Sequence, residues 1–511
     1  MADTKREIER KYEATTTDTE SEPRLPDFTK VAGVSSVQDR GVVDLDAVYY
    51  DTDELALAAH GITLRRRTGG DDAGWHLKLP VAPNVRDEIR APLTDTDGVP
   101  RALSALVRAR TLGEPLLATV RLRSSRRVWH LRDKAGELLA EASVDTVTAH
   151  RLGGRDAQAP LPEGARTSFT EIEIELADDG DPAFLDAVDK KLRKAGVRPS
   201  ASPSKLARAL AETGGGPVPR PVREDDTAGA HVLAYLRDQV EAMAVYDPAV
   251  RRDLPDSVHQ LRVATRRMRS AFKTYRKVLD RTVTDPLGDE LKWLAGELGV
   301  DRDQEVLADR LLTRLSALPR TLLLGPVRGR LRIWSVARRS GSRRRTLAVL
   351  DGRRYLELLR SLDAFLAAPP LRPAADRDAV TVLHKALVKD HARLADRTEH
   401  ALALPPGGER DLALHEARKA AKRLRYAAES ARPALGKSAN KLRKRVKDVQ
   451  GVLGDHQDSV VARAELRNLA IQAHAAGEPS FAWGLLYGQE EACAADRERE
   501  LPEVWRRVPG V

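Results

Sequence analysis

The apolar period of this chain changes from two to 3.6 across one short segment, Gly214 to Asp226, and no single fold class accommodates both periods. A period of two sets successive side chains on opposite faces of a strand, whereas 3.6 lines one face of a helix. The chain therefore reads as two domains of different class, with boundaries expected at 1–211, 212–227 and 228–507. The middle piece contains GGGPVPRP, whose Gly and Pro content and lack of periodicity mark a linker.

In the first part Ile8, Arg10 and Tyr12 alternate with Glu7, Glu9 and Lys11. Near its end Ile172, Ile174 and Leu176 alternate with Glu171, Glu173 and Glu175. This predicts half-buried antiparallel strands. TGGDDAG between ITLRRR and WHLKL, within residues 62–79, predicts a hairpin. Further alternation runs through Glu88 and Arg90, through Arg121 and Arg123, and through Glu141, Ser143 and Asp145, with helix-like pieces near 100–110 and 181–195. The second part is a succession of helical patterns broken by Pro or Gly, which predicts an all-α bundle. Within it HQLRVATRRMRSAFK from His259 is echoed by HEARKAAKRLRYAAE from His415, 156 residues later. Beyond each His stands Leu-Gly and then Asp: Leu298, Gly299 and Asp303, then Leu453, Gly454 and Asp458. Duplicated helix pairs imply a bundle with an internal pseudo-twofold repeat.

Charge separates the two parts further. Up to Thr213 there are 32 basic and 36 acidic residues; the remainder holds 54 and 40, out of 86 and 76 in all. The basic excess sits in the helical part and points to an anionic partner there. The single cysteine, Cys493, excludes an intrachain disulfide and a Cys-rich metal centre, and suits a reducing, cytoplasmic setting. No uncharged stretch approaches the roughly 18 apolar residues of a membrane-spanning helix. The polar opening MADTKREIER is unlike a secretion signal.

Solvation of one sheet face accounts for charged alternation in general. It does not account for Glu-x-Glu in the first and last strands with Arg-x-Arg and Lys on the strands between. A closed barrel would gather these faces inside, where Glu7, Glu9, Glu171 and Glu173 could not all stay ionised without Mg2+ or Mn2+ among them. Lys11, Arg65, Arg67, Lys78, Arg90, Arg121 and Arg123 would then grip phosphoryl oxygens and stabilise charge on the leaving group. A polyphosphate chain is the substrate such an interior suits. Glu7, Glu9, Lys11, Glu171 and Glu173 are the expected catalytic set, with the metal orienting and acidifying an attacking water. His76 is expected to be a wall residue.

REIERKYE, carrying Glu7-x-Glu9-x-Lys11, resembles the opening signature of the CYTH domain, the triphosphate tunnel metalloenzyme fold. YYDT at 49–52, GITLRRR at 61–67, GWHLKLP at 74–80, EIEIEL at 171–176 and SPSKLARAL at 202–210 follow in that family's order. The resemblance covers nearly all of residues 1–211. It implies an eight-stranded antiparallel tunnel acting on triphosphate-bearing molecules with a divalent cation, and it adds Lys205 as a phosphate-binding candidate.

In the helical part His259, Arg262, Arg266 and Arg269 recur at i, i+3, i+7 and i+10, as do His415, Arg418, Lys422 and Arg425. A second stripe, Leu261, Ala264, Met268 and Ala271 with Ala417, Ala420, Leu424 and Ala427, is the expected core. Acidic partners are nearly absent from the basic faces, so purely structural stripes would repel themselves at every turn. These segments resemble the CHAD domain, the conserved histidine α-helical domain, over about 228–507. That family binds inorganic polyphosphate along a basic surface, which makes the two stripes anion-binding candidates, with Lys273, Lys419 and Arg423 at their periphery. The second copy has Gln457 where the first has Arg302. RRSGSRRR at 338–345 reads as a solvated loop or a further polyanion contact.

The leading expectation is thus a metal-dependent triphosphatase joined to a polyphosphate-binding module. Alternatives are a polyphosphate-binding protein without turnover that localises to polyphosphate granules, and a tunnel acting on another triphosphate, by ATP cyclisation or on thiamine triphosphate. Nucleic-acid binding is encouraged by pI 9.6 and disfavoured by 4% aromatic residues and the lack of a recognition motif.

Overall fold

The eight long strands of the first part have no sheet edge left to solvate, because the sheet closes on itself. This computed structural model describes residues 3–14, 25–94, 98–153, 165–218 and 225–510, with backbone alone at 3, 14, 300–305 and 337–342. Two compact units emerge, Met1–Arg220 and Pro221–Val511.

The first unit runs β1 (Asp3–Ala14), β2 (Ser36–Asp51), β3 (Thr63–Thr68), β4 (Gly74–Ala82), β5 (Val85–Ala91), α1 (Arg101–Thr111), β6 (Leu117–Arg132), β7 (Leu138–Arg151), β8 (Arg166–Leu176), α2 (Ala183–Lys194), β9 (Val197–Pro199) and α3 (Lys205–Glu212). The sheet order is β5-β4-β3-β2-β6-β7-β8-β1, and β1 pairs with β5 as well, so eight antiparallel strands form a closed barrel with β9 appended to β1. Closure leaves none of the eight barrel strands as an edge.

The apolar side of most strands faces outward. Tyr12, Ile172 and Ile174 pack with Leu185, Val188 and Leu192 of α2, while Leu64, Trp75, Leu77 and Ile89 pack with Leu103 and Val107 of α1. Helices cover the outside of the barrel, and the charged parity is left to the inside. Elsewhere Tyr49, Leu122, Val147 and Phe169 form an apolar cluster with Leu206, Ala209 and Leu210, which seats α3 against the wall.

The second unit is helical: α4 (Ala228–Arg251), α5 (Ser257–Thr274), α6 (Arg281–Glu297), α7 (Gly299–Ala317), α8 (Val327–Asp351), α9 (Arg353–Ala367), α10 (Ala379–Ala403), α11 (Gly408–Ser430), α12 (Arg432–Ala475) and α13 (Phe481–Arg506). The core stripes on α5 and α11 are buried in full. α12 breaks at Gly436, whose φ of 59° lies in the left-handed region that glycine tolerates. RRSGSRRR is no loop: it lies within α8, and Arg343 donates to the carbonyls of Val250 and Arg251 at 3.2 and 2.7 Å, closing the C-terminal turn of α4. No described helix is long and apolar enough to cross a membrane.

Candidate functional site

Beyond the apolar cluster that seats α3, the inward side chains of the barrel are mostly polar and enclose a cavity of about 270 Å³ walled largely by charge. β1 contributes Lys5, Glu7, Glu9 and Lys11, and β8 contributes Glu173 and Glu175. β3 adds Arg65 and Arg67, β4 adds Lys78, β5 adds Arg86, Glu88 and Arg90, β6 adds Arg126, and Lys205 enters from the first turn of α3. A cation at a helix N-terminus opposes the helix dipole. Here three acids offset it: Lys205 Nζ lies 2.6 Å from Glu173, 3.1 Å from Asp145 and 3.1 Å from Glu171.

The acids and cations form one continuous network. Lys11 bonds Glu173 and lies 3.3 Å from Glu9 and 3.7 Å from Glu171. Lys78 lies 2.6 Å from Glu7, Arg86 2.9 Å from Glu9, and Arg90 pairs with Glu88. Lys5 holds Glu175 at 2.9 Å. Glu171 is fully buried beneath the cavity wall, and both its oxygens lack an aligned hydrogen-bond donor. His76 is buried in the wall, with Nδ1 2.8 Å from Glu88 Oε1 and Nε2 2.9 Å from the Asp72 carbonyl.

Titration follows this geometry. Burial pushes the Glu7 carboxyl up to about 7, only partly countered by Lys78, and burial likewise raises Glu171 against the pull of Lys205 and Lys11. Burial also disfavours the charge on Glu9, yet Lys11, Lys78 and Arg86 outweigh it and hold that carboxyl at about 2. For Glu173 burial is overcome by Lys11, Lys205 and Arg126, which keep it well below the carboxylate range. The β1 and β8 acids are therefore unequal: Glu9 and Glu173 are ionised by neighbouring cations, whereas Glu7 and Glu171 carry charge that lacks full compensation.

That imbalance is the test of a divalent cation. Hard oxygen ligands with undercompensated charge suit Mg2+ or Mn2+. Lys11 and Lys78 stand between the carboxylates, and among the described residues no three of these acids bring ligand atoms within 4.8 Å of one another. In donor chemistry and charge the residues fit such an ion.

Arg121 and Arg123, expected on the cavity wall, are not there. Inward positions on β6 have even numbers, as Leu122 and Arg126 show, so the odd-numbered pair points out: Arg121 bonds Asp46 and Arg123 is 67% exposed. The inward cation is Arg126, bonded to Asp145 at 2.8 Å and to Glu173 at 2.7 Å. Arg86, Glu88, Arg126 and Asp145 belong to the network although none was expected as a site residue, Glu88 and Asp145 having been read only as parts of alternating strands. The alternation of Arg86, Glu88 and Arg90 was the available signal for two of them. Replacing Arg126 with Met leaves Asp145, which is 0% exposed, with Lys205 as its remaining ion-pair partner among the described residues. Urea unfolding of the first unit should shift by about 3 kcal/mol, whereas Arg121→Ala should stay within about 0.5 kcal/mol.

In the second unit each repeat lays an arginine across the glycine of its Leu-Gly pair. A Cβ at Gly299 would stand 2.9 Å from Arg262 Nη2, and one at Gly454 would stand 3.6 Å from Arg418 Nη2. His415 Nδ1 is 2.6 Å from Gln457 Oε1, Arg418 is 3.8 Å from Asp458, and Lys419 pairs with Glu416. The side chains of Arg302 and Asp303 lie outside the described residues. His259 and Lys422 are half-buried on their helices, and Arg425 stacks on Tyr426.

Arg266 and Arg269 enter no ion pair among the described residues, and the cations around them crowd one another. Burial lowers the Arg269 pKa against the pull of Asp289, with Arg266 adding to the lowering; burial together with Arg269, Arg423 and Lys292 lowers Lys273. Lys389 of α10 is lowered chiefly by Arg276. Arg423, by contrast, is held by buried Asp390 at 3.0 Å and by the Lys273 carbonyl, which makes it a strut between helices. Lys292, Lys389 and Arg276 lie off the two stripes and carry no periodic signal of their own.

A closed antiparallel tunnel with this interior, followed by a duplicated basic helical unit, defines a two-domain class. The chain belongs to the CYTH and CHAD families: the CYTH domain matches residues 5–210 and the CHAD domain residues 234–467. CYTH members are metal-dependent tunnel enzymes. Over 503 residues, 97% of this chain and 95% of the relative, it is 39% identical to proteins of Mycobacterium tuberculosis strains CDC 1551 / Oshkosh and ATCC 25618 / H37Rv, each described as uncharacterized. Among solved structures, PptA from Streptomyces chartreusis is 21% identical with a TM-score of 0.47, covering 55% of this chain and 99% of that one. The CHAD domain of the plant Ricinus communis is 26% identical with a TM-score of 0.44, covering 57% and 96%. A Hippeastrum protein described as having a dominant triphosphatase activity is 16% identical with a TM-score of 0.25, covering 42% and 98%.

Proposed function

We propose that the tunnel of residues 1–211 hydrolyses inorganic triphosphate or short polyphosphate with Mg2+ or Mn2+, and that the helical module of residues 228–507 binds polyphosphate. The observation that carries this reading is the tunnel interior, where cations line a cavity whose buried carboxylates Glu7 and Glu171 lack full charge compensation. Glu7, Glu9, Glu171 and Glu173 would hold the metal, which supplies Lewis acidity toward a phosphoryl oxygen and toward water. Arg65, Arg67, Lys78, Arg86, Arg90 and Arg126 bind the anion and stabilise the leaving phosphate. Lys11 and Lys205 hold Glu173 ionised and in place. The tether between the modules raises the effective concentration of bound polymer for the tunnel.

A second reading, binding without turnover, is supported by the lysines themselves, since Lys11, Lys78 and Lys205 already neutralise much of the acid set. Phosphate release by the full chain from tripolyphosphate, ATP and thiamine triphosphate, each with Mg2+ or Mn2+, separates the readings. Release fastest from tripolyphosphate supports hydrolysis; retention of polyphosphate with no release from any substrate supports the second reading.

A further inference from the structure

Three helices of the second unit bring a histidine and two carboxylates to one point, and none of the three residues belongs to the basic stripes. His456 of α12 is 2% exposed, and its Nε2 lies 3.3 Å from Asp411 Oδ1 of α11 and 3.3 Å from Glu498 Oε1 of α13. One ligand atom from each lies within 4.8 Å of the other two. The outer oxygens are engaged: Arg463 donates to Asp411 Oδ2 at 2.9 Å, and Arg410 donates to Glu498 Oε2 at 2.7 Å while also donating to the Leu404 carbonyl. The inner oxygens are thereby turned toward the imidazole.

A hydrogen bond explains this arrangement poorly. A single Nε2–H faces two acceptors at equal distance, each beyond the usual N–H···O range of about 2.7–3.2 Å. A metal explains it better, because tetrahedral bonds of about 2.0–2.1 Å separate neighbouring ligand atoms by about 3.3–3.4 Å. The arginines on the outer oxygens are the supporting contacts that orient ligating carboxylates. We infer that Asp411, His456 and Glu498 form a divalent transition-metal site that ties α11, α12 and α13 together. One imidazole nitrogen with two carboxylate oxygens suits Zn2+, in contrast to the all-oxygen acid set of the tunnel, which suits Mg2+ or Mn2+. The three residues are 45 and 42 positions apart in sequence, too far for a local ligand motif.

The test is titration of the chelator-treated full chain with Co2+, whose visible absorption reports tetrahedral coordination, followed by displacement with Zn2+. One equivalent should bind with a tetrahedral spectrum, and Zn2+ in about hundredfold excess over its Kd should raise melting of the helical unit by about 5 °C. The Glu7→Gln plus Glu9→Gln variant should keep this binding, while His456→Gln should weaken it about a hundredfold. Where His456→Gln fails to fold by circular dichroism, Asp411→Asn takes its place with the same expected loss. Absence of a stoichiometric tetrahedral Co2+ signal in the parent chain, or a signal that survives the folded ligand variant, overturns the site.

Discussion

In the full chain with tripolyphosphate and Mg2+ or Mn2+, Glu7→Gln combined with Glu9→Gln lowers phosphate release at least about a hundredfold, the scale on which removing pre-organised electrostatic groups acts. Undiminished release would remove these two residues from the metal-holding role. Loss of activity through unfolding is distinguished by the pH dependence of stability. Glu7 is raised from about 4.5 to about 7, so its favourable contribution is complete below about pH 4.5 and is lost as pH rises through 7, an effect of about 3 kcal/mol. Glu9 has the opposite sign, since its contribution is present above its ordinary range and is lost only as pH falls toward 2. Between pH 5 and 8 the metal-free first unit should therefore lose stability as pH rises, and Glu7→Gln alone should flatten that decline. Because a divalent ion competes with the proton on Glu7, Mg2+ should raise melting more at pH 8 than at pH 5.5 in the parent chain and at neither pH in the double variant. A decline that persists unchanged in Glu7→Gln would contradict burial as the cause of the raised pKa.

The legibility of this site tracks strand parity. In β1 and β8 the acids share one parity and Ile or Tyr the other, so the separation of faces could be read directly, although only the cover of α1 and α2 shows that the apolar face is the outer one. In β6 the run Arg121 to Arg127 offers cations on both parities, and pairing of Arg126 with Asp145 of β7 decides which points inward. Nothing along β6 carries that information, because it resides in the register between strands. The first half of β2 was invisible for another reason: residues 36–44 are largely exposed and have no apolar alternation to detect. In the helical unit the core stripe was plain because burial imposes the 3.6 period. The fates of single cations were not, since Arg423 meets Asp390 of α10 and the crowd around Lys273 includes Lys292 of α6. The same limit hides Asp411, His456 and Glu498, which tertiary packing alone brings together.

Arg269→Glu with Lys273→Glu in the full chain weakens long-chain polyphosphate binding at least about tenfold near physiological salt and lowers the slope of log K against log salt by about 2, as expected when two cations cease to displace counterions from a polyanion. The choice of these two follows from energetics. Burial first, and then neighbouring cations, depress both pKa values, with Arg269, Arg423 and Lys292 acting on Lys273 and Arg266 acting on Arg269 against the pull of Asp289. The free protein therefore carries repulsion centred on Lys273 that a bound polyanion relieves. Arg423 is a poorer probe, because removing it leaves buried Asp390 short of a partner and lowers stability whether or not anything binds. Reducing the repulsion gives the control: neutral Lys273→Gln should preserve or raise thermal stability while still weakening binding, a combination that structural damage does not produce. Tripolyphosphate hydrolysis by the tunnel should be unchanged in these variants, since neither residue lines that cavity. Polyphosphate should displace duplex DNA from the parent chain; preferential retention of DNA, or polyphosphate affinity indifferent to both substitutions, would transfer the basic face to a different partner.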